Sequence, residues 1–165
     1  MTTRADVETW INDALSRMGL DRKMVLLRSS DGMATPYVEG DAAPFDYIVS
    51  ERGKELRREC GLNGDDLAYL ILRDVALMHA LRLEASTRGE NVYSRKTWMD
   101  AVAKQMGRAR ADWELRISDE FAEVLKEAPL SPVERANTRT LPLPPVDGGV
   151  VVRHELNIRS DKGEP

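Results

Sequence analysis

Asn63-Gly64-Asp65-Asp66-Leu67-Ala68-Tyr69-Leu70-Ile71-Leu72-Arg73-Asp74-Val75-Ala76-Leu77-Met78-His79-Ala80-Leu81 is the stretch from which the rest of the chain can be arranged. It opens with a helix start. Asn63 is a favoured capping residue, and Asp65 and Asp66 put carboxylates in the first turn, where unpaired backbone N–H groups attract negative charge. Leu67, Leu70, Ile71, Asp74, Val75, Met78 and Leu81 then track one face, which Leu72, Leu77 and Leu83 widen. A helix apolar over more than half its girth has neighbours on several sides. The reading is a central helix from residue 65 to about 86.

Working outward, Val7, Trp10, Ile11, Ala14, Leu15 and Met18 form one helical stripe, with Thr3 and Asp6 as a capping box and Gly19 as the stop. Between these helices lie Met24-Val25-Leu26-Leu27, Thr35-Pro36-Tyr37-Val38-Glu39 and Phe45-Asp46-Tyr47-Ile48-Val49, three β-prone runs separated by turn residues. They predict a small antiparallel meander resting on helices, since so few strands do not persist alone. Ser94 caps a third helix carrying Trp98, Val102 and Met106. After a weak point at Gly107, a fourth carries Trp113, Ile117, Phe121, Val124 and Leu125 until Ala128-Pro129. The fold class is therefore α+β, about four helices on a small antiparallel sheet. Trp10, Ile71, Trp113 and Phe121 are expected in the core, and Cys60 is expected as buried filler.

Five prolines between residues 129 and 145 disfavour helix and favour extended chain. Residues 1–130 are read as one domain and 131–165 as a Pro-rich tail or strap. Alternation over residues 150–158 predicts a late strand adding to a sheet edge in this chain or a partner.

With 165 residues, a net charge of −4 and only 5% aromatic residues, the chain has material for one core but few platforms for stacking bases. Nucleic acid is a poor partner for it, and a basic partner fits better. No run without Asp, Glu, Lys or Arg exceeds seven residues, so no membrane span is expected. The early charged residues leave no room for an apolar signal region, and the single cysteine fits a reducing cytoplasm.

Catalytic patterns are missing. His79 and His154 lie in no ligand spacing, so no metal or other cofactor is expected, and His79 reads as a hydrogen-bonded structural residue. No glycine-rich phosphate loop and no GxSxG elbow occurs. An enzyme is not expected, although a hydrolase built from dispersed carboxylates is the third and weakest reading.

Two surfaces stand out. Glu51 and Arg52 follow the third β-prone run with Gly53. They are either a polar site at a strand end or charges that pair with a helix while Gly53 makes the turn. On the fourth helix, residues 111–127 hold six acids against Arg116 and Lys126. Asp112, Asp119, Glu123 and Glu127 share a face opposite the Trp113, Ile117 and Phe121 stripe, as an interaction surface or a solvated one. The basic third helix, with Arg95, Lys96, Lys104 and Arg108, is an alternative partner for these acids within the chain.

Phe45-Asp46-Tyr47-Ile48-Val49-Ser50-Glu51-Arg52-Gly53, then Asp65-Asp66-Leu67-Ala68-Tyr69-Leu70-Ile71-Leu72, and later Trp113 and residues 125–129, resemble the immunity protein 63 family of bacterial polymorphic toxin systems. The resemblance spans about residues 35–130. It departs from the family at Leu70, where an aromatic is usual, and the Pro-rich tail lies outside it. It implies a cytoplasmic protein without catalysis of its own that binds and neutralises a cognate toxin domain, often an enzyme such as a nuclease. The alternative from a different class is a small regulatory or adaptor domain that engages a host-cell protein through its tail or acidic helix.

Overall fold

The computed structural model describes residues 1–146. Along them run α1 (Arg4–Arg17), β1 (Tyr37–Glu39), β2 (Phe45–Glu51), β3 (Lys54–Leu62), α2 (Gly64–Thr87), α3 (Arg95–Ala109), α4 (Ala111–Glu127) and α5 (Pro132–Ala136). The three strands form an antiparallel sheet in the order β1-β2-β3, so the molecule is α+β.

The central position of α2 follows from its sequence. Leu67, Ala68, Tyr69, Leu70, Ile71 and Leu72 are all buried, which requires neighbours on every side of the first turns, and α1, α3 and the sheet supply them. The Asn63 side chain accepts the Asp66 N–H at 2.8 Å as the expected cap. At Gly64 the N-terminal segment comes so close that a Cβ would overlap the Thr2 methyl group, with the Trp10 ring at 3.0 Å and Val7 at 3.2 Å next. In the second half the buried line runs through Ala76, Ala80 and Glu84, whereas Met78, expected on the core face, is exposed. The two alanines on that line leave room for the neighbouring α3.

The two polypeptide stretches around the sheet differ from expectation in instructive ways. Residues 24–27 do not form a strand: only Leu27 makes an isolated parallel bridge, to Tyr37. The backbone groups of this stretch are taken by side chains of α1. Asn12 accepts the Met24 N–H at 2.8 Å and donates to its carbonyl at 2.9 Å, and Glu8 accepts the Leu26 N–H at 3.0 Å. One turn earlier, the buried Arg4 donates to the carbonyls of Val38 at 2.6 Å and Gly40 at 2.8 Å, with longer bonds to Leu26 and Leu27. A helix face reading Arg4, Glu8, Asn12 thus replaces a neighbouring strand as the hydrogen-bonding partner.

The third strand is instead β3, in a stretch rich in charge. Glu51 pairs with Lys54 across Arg52 and Gly53, whose φ values of 50 and 79 make the two-residue hairpin turn that suits the natural twist of strands. Every residue of β3 is exposed or half-buried. Its register slips near Leu56 and again near Cys60 and Gly61, bulges of the kind that keep an edge strand from pairing further. Arg58 gathers Glu55, Glu39 and Asp46, at 2.9, 3.2 and 3.2 Å, across all three strands. Cys60 is exposed on this edge rather than buried.

The helices α3 and α4 meet at Arg110, the single extended residue between them, three residues beyond the expected weak point at Gly107. Edge-to-face pairs join Tyr69 to Trp113 and Trp98 to Phe121, with centroids 5.9 and 5.7 Å apart. Beyond α4 the prolines admit one short helix. Pro132 sits in the first turn of α5, where its missing N–H costs nothing, and Ser131 and Glu134 form a capping box. The following chain lies against the helices as a strap. Glu134 pairs with Arg95 at 2.8 Å, which holds its carboxyl down to about 2, and Arg139 reaches Glu84 at 3.3 Å. Leu141 is buried in the core cluster. The expected late strand over 150–158, and His154 with it, lie outside the described residues.

Candidate interaction surface

The helix α4 divides its charges between two environments. Trp113 and Ile117 are buried and Phe121 is half-buried, while Val124, expected on the same stripe, is 47% exposed. The stripe therefore turns away from the core in the last turns. Glu120 faces inward. It accepts the Tyr69 hydroxyl at 2.8 Å and pairs with Arg73 at 3.1 Å, while Arg116 stacks 3.8 Å from the Tyr69 ring centroid and reaches Asp66 at 2.8 Å. Burial, followed by the Glu120 carboxylate, pushes the Tyr69 hydroxyl above its ordinary range, so it stays a neutral donor. Tyr47 makes the equivalent bond to Asp74 on α2, and Arg57 of β3 pairs with the same carboxylate at 3.6 Å. These interlocked groups tie β3, α2 and α4 together.

Asp112, Asp119, Glu123 and Glu127 face outward and all four are exposed. Asp112 is bound by Arg110, which lowers its carboxyl pKa below the ordinary value, and Glu123 pairs with Lys126. Among the described residues Asp119 and Glu127 make no ion pair. The basic residues of α3 make no ion pair with the stripe among the described residues, although such pairing was one of the alternatives. Arg95 turns to Glu134, Lys96 pairs with Asp100 at 2.7 Å, and Arg108 donates to the Pro144 carbonyl.

Glu51 and Arg52 sit at the tip of the β2-β3 hairpin, apart from α4. They pair only with each other, at 4.0 Å, among the described residues, and the tip is braced by Gly32, whose carbonyl accepts the Arg52 N–H at 3.3 Å. The alternative pairing with helix charges does not occur among the described residues. His79 behaves as a structural residue, with Nδ1 about 3 Å from the buried Gln105 amide. Among the described residues no three His, Cys, Asp or Glu side chains converge as metal ligands would.

A cleft was not foreseen from the sequence. It lies where α1, the start of α2 and the α3-α4 junction meet, has a volume of about 330 Å³, and is lined by Trp10, Asp13, Arg17, Asp65, Arg110 and Trp113. Trp10, expected in the core, is 44% exposed there. The signal that could have revealed it is Gly64 at the helix start, where a Cβ would overlap Thr2 and touch the Trp10 ring at 3.0 Å.

Residues 41–123 match the model of the immunity protein 63 family. That span is half of the chain and contains β2, β3, α2, α3 and most of α4. The chain belongs to the immunity protein 63 family. Neither among curated proteins nor among solved structures does the chain find a significant match. The family region includes the whole Tyr47, Asp74, Tyr69 and Glu120 network, the hairpin tip, and Asp112, Asp119 and Glu123 of the outward stripe. Outside it lie α1 with Trp10 and Asp13, the strap, and Glu127. In this immunity protein the cleft is thus built jointly by the family region and the preceding helix.

Proposed function

We propose that this chain neutralises a cognate bacterial toxin by binding its toxic domain in the cytoplasm, without catalysis of its own. Membership of the immunity protein 63 family carries the reading. The partner is a basic toxin domain, which suits a chain of net charge −4 whose outward α4 face concentrates carboxylates. On this reading Asp112, Asp119, Glu123 and Glu127 form the toxin-facing surface, and Glu51 and Arg52 at the hairpin tip form the second surface to test. Charge of one sign over a surface steers an oppositely charged partner and raises encounter rates by about 10 to 1000-fold at low salt.

The test is co-expression with the toxic domain encoded beside this gene. Restored growth together with a stable purified complex supports the proposal. Continued toxicity with no complex, while the immunity protein accumulates folded, refutes it.

A further inference from the structure

We draw no further inference here: the strongest candidate, the surface patch of Tyr93, Trp98 and Phe121 where the loop between α2 and α3 meets the last turns of α4, is an unpartnered aromatic face, and nothing in the structure shows what covers it.

Discussion

Glu84 on α2 and Asp119 on α4 are both carboxylates on helix faces, in opposite surroundings. The Glu84 side chain is only 2% exposed and is gripped by Arg88 at 2.6 Å and Arg139 at 3.3 Å, which join the helix end to the strap. Asp119 is exposed and makes no ion pair among the described residues. Removing the first leaves two guanidinium groups short of a partner in a half-buried place, whereas removing the second leaves the fold as it was. Acids such as Glu84, Glu120 and Asp74 hold elements together, whereas in the outward set Asp119 and Glu127 make no ion pair among the described residues. Counting the acids of α4 without this distinction overstates the charge it can offer.

The aromatic beneath the outward face marks the inward limit of the comparison. Trp113 is 4% exposed and packs on Tyr69. Trp113→Ala should cost about 3 to 5 kcal/mol, measured as a shift in denaturant midpoint. An unchanged midpoint would mean that α4 is rotated and that the acids assigned outward are not.

Next in size is Leu141, which the strap delivers into the core at 4% exposure. Leu141→Ala should destabilise by about 2 to 4 kcal/mol. A loss below about 0.5 kcal/mol would show that the strap rests on the helices without completing the core.

Glu84→Gln should cost about 1 to 3 kcal/mol at neutral pH, since it weakens charge-assisted bonds at a buried site. The two arginine partners, chiefly Arg88, hold the Glu84 carboxyl below its ordinary value in the folded protein. A depressed carboxylate contributes its stability above the unfolded value and loses it as the pH falls through the folded one. The gap between wild type and Glu84→Gln should therefore be full at neutral pH and close as the pH drops below the usual carboxylate range. A gap that is constant with pH would mean that packing, not charge, is what the variant removes.

How much of this was legible in the sequence depends on where each signal resides. The helices α1 and α2 announced themselves through the Thr3 and Asn63 caps and through apolar spacing, because those are local properties. The choice of strands was not local. Residues 24–27 have β-prone side chains, but their N–H and C=O groups bond to Asn12, Glu8 and Arg4. Residues Lys54–Leu62 have few such side chains and form a strand because the Arg52-Gly53 turn lays them along β2. The outward stripe could be placed on one face by spacing alone. That Glu120 turns toward α2, and that Trp10 walls a cleft, depended on residues of another helix, Tyr69 and Arg73 for the first and the α3-α4 junction for the second.

The smallest stability effect and the sharpest test of the outward set come from reversing Asp119 and Glu123 to Lys together. Both are exposed, and the substitutions break one local ion pair, between Glu123 and Lys126, and put like charges there at i,i+3. Such exposed helix pairs are worth only about 0.2 to 0.5 kcal/mol, so the thermal midpoint should scarcely move. On the proposed function, association with a basic toxic domain should respond differently. Reversing two carboxylates changes the charge of the face by four units, and steering acts through the summed field, so the association rate at low salt should fall about tenfold. At high salt the variant and the wild type should converge, because screening removes the attraction from one and the repulsion from the other. A double variant that associates at the wild-type rate at both salt concentrations, and still protects growing cells, would leave α4 as a solvated face and move the search to Glu51 and Arg52.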